Sequence, residues 1–148
     1  SIDCFAFSNS SIENISIPKN VNQIGERCFS RCQDLKAVNF HEESELESIS
    51  NFTFCDSSIQ LLSISENLKY FDEGWCHLTK NLTNISISSK NKNFKYIYEK
   101  MIVGKLNKKS DIFDVLVFAR RDVDKIEIPF FIKKISIKGY SCETFSML

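Results

Sequence analysis

The residues of this 148-residue sequence that suit metal binding or nucleophilic attack are its cysteines and histidines. Three residues separate Cys28 from Cys32, and Cys55 and the pair Cys76-His77 follow downstream. Thiolates and imidazoles are the ligands that Zn²⁺ prefers. However, Cys28 directly precedes a phenylalanine that belongs to a repeated pattern, and a free cysteine in such a setting packs as a small apolar residue. We therefore predict that these cysteines fill a core and that the chain holds no metal.

No arrangement of side chains in the sequence predicts catalysis. His41 and His77 are the two histidines, and neither has a carboxylate and a nucleophile in a recognisable arrangement around it. The four glycines form no phosphate-binding loop. The aromatic residues recur at apolar, core-like positions and are not interleaved with basic residues, as nucleic-acid binding requires. We predict that the protein is not an enzyme and has no cofactor and no nucleic-acid partner.

The elements that must position any functional residue follow from a repeat of the form L-x-x-I-x-I. The alternating I-x-I predicts a short strand with two side chains facing in and one facing out. Because one such strand cannot bury its apolar face alone, recurrence at near-constant spacing predicts stacked coils that share one core. The four copies are Ile12, Ile15 and Ile17, then Leu35, Val38 and Phe40, then Ile59, Leu62 and Ile64, then Leu82, Ile85 and Ile87.

Two further sets of apolar residues repeat at the same interval. One set predicts a second wall of short extended segments, and the other predicts aromatic rings inside the coils. An ordinary β-sandwich of short strands is the alternative, but it gives no reason for three sets to stay in register. The first set is Val21/Ile24, Leu46/Ile49, Leu68/Phe71 and Ile132/Ile135. The second is Phe7, Phe29 and Phe54, continued by Trp75 or Cys76 and then by Tyr140 or Phe145.

The segment ISIPKNVNQIGERCFSRCQDLKAVNF, followed by FHEESELESISNFTFCDSSIQLLSIS, resembles the BspA-like, treponemal-type leucine-rich repeat that is abundant in trichomonad surface proteins. The resemblance implies a mainly β leucine-rich-repeat solenoid with short parallel strands and about five repeats over residues 1–148. The chain has no initiator methionine, and we expect it to be part of a longer protein.

The period breaks at residues 91–121. Two strand-like stretches, KYIYEKMIV and IFDVLVFA, flank a polar, lysine-rich turn there. This is similar to the β-hairpin insertion that members of the family carry. We expect a hairpin over residues 91–121 and a last repeat that resumes in KIEIPFFIKKISIKGY, with Ile126 and Ile128 pointing inward.

The residues between the inward-pointing positions are predicted to form a small, polar face on the parallel sheet. Such a face suits the close approach of a protein or glycan ligand, and the alternative is that it only solvates an unused surface. The central column is Ser16, Asn39, Ser63, Ser86 and Glu127, with Asn14, Leu61 and Asn84 on one side and His41 on the other.

Charge is distributed unevenly along the chain. Residues 1–80 hold 6 Lys/Arg and 12 Asp/Glu, and residues 81–148 hold 13 and 7, giving −6 and +6. The lysines of the predicted hairpin turn, Lys105, Lys108 and Lys109, are a second candidate contact surface, or else a solvated edge. The acidic stretch 41–47 is their counterpart. Opposite charges of this kind favour salt-sensitive, head-to-tail contact between solenoid segments.

Five Asn-x-Ser/Thr sequons favour a secretory route and a place at the cell surface. No apolar run approaches the roughly 18 residues that a membrane span needs. We predict a non-catalytic interaction module of a secreted or surface adhesion-type protein. The alternative is an intracellular scaffold within a cytoplasmic or cytoskeletal assembly. The candidate glycosylation sites are Asn9, Asn14, Asn51, Asn81 and Asn84.

Overall fold

A computed structural model describes residues 1–136, and this part of the chain is built from eleven strands in three sheets. No helix long and apolar enough to cross a membrane occurs in it. The strands are β1 (Asn14–Ile17), β2 (Gln23–Ile24), β3 (Ala37–Phe40), β4 (Ser48–Ile49), β5 (Leu61–Ile64), β6 (Tyr70–Phe71), β7 (Asn84–Ile87), β8 (Phe94–Ile97), β9 (Met101–Gly104), β10 (Val115–Ala119) and β11 (Lys134–Ile135).

The four predicted strands form one parallel sheet in the order β1-β3-β5-β7. Ile15 lies opposite Val38, and Leu62 lies opposite Ile85, so each apolar position sits beside its counterpart in the next coil. Val38 is also paired with Leu62 across the middle of the sheet. The spacing of the repeat therefore predicted both the strands and their register, and the leucine-rich-repeat solenoid is confirmed.

A second parallel sheet, β2-β4-β6, forms the opposite wall of the coils. Ile24 pairs with Ile49, and Ile49 pairs with Phe71. Ile2 extends this wall toward the N-terminus through a bridge to Ile24. Ile24 and Ile49 are fully buried, because this wall and the first sheet enclose the same core.

A third wall consists of turns that hydrogen-bond from one coil to the next. The backbone N–H of Phe7 donates to Cys28 O at 2.9 Å, and that of Phe29 donates to Thr53 O at 2.9 Å. The N–H of Phe54 donates to Trp75 O at 2.8 Å. In each bond, the residue that follows the acceptor in sequence holds the same position in its coil as the donor holds in the coil before: Phe29 follows Cys28, and Phe54 follows Thr53. The pattern therefore places Cys76, and not Trp75, in the aromatic column after Phe54.

Each turn also contains residues in the left-handed backbone region. Phe5, Arg27 and Phe52 have φ values of 60°, 54° and 54°, and Gly74 follows in the same position with φ 60°. A Cβ on Gly74 would lie 2.4 Å from Cε1 of Phe52. Glycine is required here because the turn of the preceding coil already fills the space of a side chain.

Trp75 lies outside the aromatic column and packs between the second wall and the insertion. Its ring lies 4.5 Å from the ring of Phe71 and 5.8 Å from that of Phe118, and its side chain is fully buried. The indole thus joins the second wall to the strands beyond the repeats. The proposed continuation of the column at Tyr140 or Phe145 lies outside the described residues.

The hairpin expected at 91–121 is present as β9 and β10, and the first of its two predicted strands is divided into β8 and β9. The stretch KYIYEKMIV bends at Tyr98 and Glu99, which both have φ of 52°, so β8 and β9 pair with each other as one tight hairpin. β10 then pairs antiparallel with β9 to complete a three-stranded meander. Asp114 fixes the long β9–β10 connection, since its carboxylate accepts the Leu106 N–H at 2.9 Å.

The expected return of the repeat after the insertion is not observed in the described residues. Ile126 and Ile128 do not belong to a strand there, and Ile128 is 43% exposed. Ile135 belongs to β11, which pairs with β10 and not with the second wall, and Ile132 packs on a small cluster with Met101. Because the meander lies beside these residues in place of another coil, the strand predicted for the second wall at Ile135 pairs with β10.

Candidate binding surface

The polar residues predicted for the outer face of the parallel sheet lie side by side on neighbouring strands, in rows across the sheet. Ser16 lies opposite Asn39, and Ser63 lies opposite Ser86. The row nearest the start of the strands runs from Asn14 through Ala37 and Leu61 to Asn84. The side chains of Ser16, Asn39 and Ser86 are exposed and that of Ser63 is half-buried, so the face is accessible, and these four side chains carry no charge.

A shallow cleft of about 320 Å³ lies where β3, β5 and β7 end. Its hydroxyl groups come from Ser63, Ser65, Ser86 and Ser88, while His41 and Glu42 supply an imidazole and a carboxylate at one side. The Glu43 N–H donates to Nδ1 of His41 at 3.1 Å, which orients the ring. Glu42 was not identified from the sequence, because nothing in its local pattern shows that it lies beside the serine column. The remaining lining residues are Phe40, Ile64 and Ile87.

Ion pairs that join successive coils flank the neutral face. Lys36 Nζ lies 2.6 Å from Glu13 Oε2, just before the strands, and Lys19 Nζ lies 3.0 Å from Glu43 Oε2, just after them. The hydrogen bond from Lys36 lowers the pKa of Glu13, and the one from Lys19 lowers the pKa of Glu43. Lys90 pairs with Glu66 after the strands of the face, whereas Lys69 pairs with Glu47 at the second wall, just before β6 and β4. Glu43 and Glu47 of the acidic stretch 41–47 are thus paired within the solenoid.

Glu127 does not lie on this face. It is outside every described strand, pairs with Lys125 at 3.0 Å, and lines a separate depression beside Tyr98 and Phe130. Its inclusion in the central column was wrong, because the repeat does not resume at residues 125–129 in the described structure.

Two of the three candidate lysines are not free on a turn. The side chain of Lys105 is 7% exposed and its ammonium lies 4.9 Å from the centre of the Phe113 ring. Lys108 Nζ donates to Lys69 O at 3.0 Å and lies over the rings of Tyr70 and Phe94. Lys109 alone of the three extends into solvent without such contacts to the second wall. The basic turn is therefore folded back onto the solenoid.

The five sequon asparagines are all exposed, so folding hides none of them. Asn14 and Asn84 lie on the two outer strands of the polar face, where a glycan would cover part of it. Asn51 differs from the others because its Oδ1 accepts the Glu73 N–H at 2.9 Å, and the hydroxyl of its sequon partner Thr53 is buried. The use of these sites stays a prediction.

Three of the five cysteines in residues 1–136 occupy packing positions, as predicted for most of the cysteines. Cys28, Cys32 and Cys76 are fully buried, and burial raises the pKa of Cys28 and of Cys76 to about 12. Cys4 is exposed and Cys55 is half-buried. Thiols with so high a pKa stay protonated near neutral pH and are poor nucleophiles and poor metal ligands.

Stacked coils with a parallel strand face, a second short-stranded wall and a wall of turns define a leucine-rich-repeat solenoid. The family model for the BspA type leucine rich repeat region matches residues 1–113 with six copies. The chain belongs to the BspA-type leucine-rich-repeat family. Repeats of this family indicate a protein-interaction module, a role that typically involves no catalysis. No curated protein matches the sequence.

Two solved structures share the fold. The pneumococcal vaccine antigen PcpA superimposes with a TM-score of 0.80 at 24% identity, over 91% of this chain and 32% of the PcpA chain. A leucine-rich repeat protein from Eubacterium ventriosum superimposes with a TM-score of 0.63 at 17% identity, over 90% of this chain and 41% of its own. The chain therefore spans about a third and about two fifths of these proteins.

Proposed function

We propose that this solenoid is a non-catalytic module that binds a protein ligand through the polar face of β1, β3, β5 and β7. The observation that carries the proposal is the register of the small polar side chains, Ser16 beside Asn39 and Ser63 beside Ser86. Small side chains let a partner approach the sheet closely, and the shallow cleft at the strand ends adds hydroxyl, imidazole and carboxylate groups for hydrogen bonds.

The flanking ion pairs support a binding role for the face between them. Pairs such as Lys36–Glu13 and Lys19–Glu43 neutralise the charges beside the sheet, so a ligand meets no strong single-sign field there. Contacts on the face would then be hydrogen bonds and van der Waals contacts, and we expect the affinity of this face to depend only weakly on salt.

The test is an array of extracellular proteins and glycans probed with the wild-type chain and with Ser86→Arg. The new side chain would project from the middle row of the face, on its outer strand β7, and should reduce binding of the true ligand at least tenfold. Gln23→Arg is the matched control, because Gln23 is exposed on β2 in the opposite wall. Loss with Ser86→Arg but not with Gln23→Arg supports the proposal. Binding that survives Ser86→Arg contradicts it.

We propose further that the parent protein acts at the cell surface as an adhesion-type protein. The five exposed sequons and the likeness to a vaccine antigen support this. The competing role is a scaffold inside the cell. Peptide mass spectrometry of the protein from its native source separates the two, because glycans on Asn14 or Asn84 require passage through the secretory pathway. Unmodified asparagine at all five sites, together with exclusive recovery from cytosol, would favour the scaffold.

A further inference from the structure

A second cleft, of about 200 Å³, lies between β6 of the second wall and the meander, on the side away from the polar face. Its floor is apolar and includes Phe94 and Val117. Four lysines surround it: Lys69 from the second wall, Lys105 and Lys108 from the β9–β10 connection, and Lys134 from β11. These residues are up to 65 positions apart in the chain, so no local sequence pattern announces the cluster.

The charges around this cleft do not cancel. Lys69 is paired with Glu47 at 2.5 Å, and Lys105 lies 3.7 Å from Asp111. In residues 1–136, Lys108 and Lys134 have no ion pair with a carboxylate, and no aspartate or glutamate belongs to the lining. The cleft therefore has two positive charges in excess above an apolar floor.

Lys108 is held at the mouth of the cleft by the protein itself. Its ammonium donates to Lys69 O at 3.0 Å and lies 5.2 Å from the centre of the Phe94 ring and 5.3 Å from that of Tyr70. Burial, and then the nearby charge of Lys105, lower the pKa of Lys108. An anion placed beside this ammonium would restore the solvation that the ammonium has lost.

We propose that this cleft binds a sulfate or phosphate ester, with the oxyanion between Lys108 and Lys134 and its organic group on the floor at Phe94 and Val117. Lysine is a common partner of tetrahedral oxyanions, acting as a point charge. The volume accommodates one ring with its anionic substituent. This site goes beyond the proposed function, because it lies on another surface and uses charge rather than the neutral strand face.

The experiment titrates the wild-type chain with phenyl sulfate and phenyl phosphate by calorimetry, with chloride adjusted to hold the ionic strength constant. Inorganic sulfate and inorganic phosphate separate the anion from its organic group. We expect one site per chain for the phenyl esters and weaker binding of the inorganic ions, since these leave the floor uncovered. Lys134→Gln should weaken phenyl ester binding about tenfold, because a charge-assisted hydrogen bond is lost.

Lys109→Gln is the control, since it removes the same charge from an exposed position of the β9–β10 connection, next to Lys108. It should leave the affinity unchanged within about twofold. If Lys109→Gln and Lys134→Gln weaken phenyl ester binding equally, the proposal is overturned, because the anion would then be attracted by the overall positive charge and not by a defined site. Equal affinity for inorganic sulfate and phenyl sulfate would also overturn it. As a second measurement, lysine-selective NMR should show the pKa of Lys108 rising when the phenyl ester binds.

Discussion

The ring of Phe29 stacks on the ring of Phe54, one coil away, with centroids 5.6 Å apart and planes 10° from parallel. Phe7 repeats the relationship on the other side of Phe29, at 5.3 Å and 5°. A column of rings at this spacing exists only if each coil repeats the backbone path of the last. The same repetition places Ser63 beside Ser86 on the outer face.

Removing a ring from the aromatic column should strongly destabilise the fold. Phe29 is fully buried between two rings, so Phe29→Ala is expected to reduce the free energy of unfolding by about 3 to 5 kcal/mol. Ser63→Ala, on the polar face, should change it by no more than about 0.5 kcal/mol. Urea denaturation of both variants measures the difference. Similar losses in the two would show that the inside and outside assignments are wrong.

Thiol reactivity should follow burial. Near pH 8 the thiols of Cys28 and Cys76 stay protonated, because burial raises the pKa of each to about 12. Iodoacetamide should therefore modify exposed Cys4 well before either of them, and mild denaturant should remove the difference. Timed alkylation followed by peptide mass spectrometry gives the order. Early labelling of Cys76 in the native protein would contradict a closed core at that coil.

The ion pairs between coils should make stability depend on acid and on salt. Because Glu13 and Glu43 have lowered pKa values in the folded chain, their contribution is present above the unfolded pKa of about 4.3 and is lost as the pH falls through the folded value. The difference in urea midpoint between wild type and Glu13→Gln/Glu43→Gln should be largest near pH 6 at low salt and should vanish near pH 2. If the difference in urea midpoint persists at pH 2, the two glutamates stabilise the fold through packing and not through their ion pairs.

Gly74 should tolerate no side chain. Gly74→Ala places a Cβ 2.4 Å from the Phe52 ring and in a left-handed conformation, which costs about 1 to 3 kcal/mol from the backbone alone. Thermal unfolding should show a clear drop in Tm. Glu73→Ala, at the exposed neighbouring position, is the control and should stay close to wild type. An unchanged Tm in Gly74→Ala would mean that the turn adopts another path.

The sequence predicted the part of the fold in which one coil repeats the next. Ile15, Val38, Leu62 and Ile85 are paired as their spacing required, because each has the same neighbours above and below. The predicted polar face follows from the same strands, since alternate residues of a strand face opposite sides. Whether Ser16, Asn39, Ser63 and Ser86 bind a ligand is a separate matter that the array experiment tests.

The prediction of a further coil after the insertion is wrong in the described residues, where the repetition stops. Ile132 and Ile135 have the spacing of the second wall, but the meander lies between them and β6, so Ile135 joins β10. Spacing identifies a strand and does not identify its neighbour. The fold-back of Lys108 onto Lys69 joins residues 39 positions apart, and such a contact between an insertion and a coil leaves no periodic signal.

The most direct test of the stacked-coil account is a crystal structure of this chain in which the Cα positions of Ser16, Asn39, Ser63 and Ser86 are measured. Three steps between neighbouring parallel strands predict about 14 Å from Ser16 to Ser86, at about 4.8 Å per step. The four residues should lie in one row across the sheet, with Phe7, Phe29 and Phe54 in a second row inside. A structure in which Ser63 and Ser86 are not on adjacent strands would contradict the account.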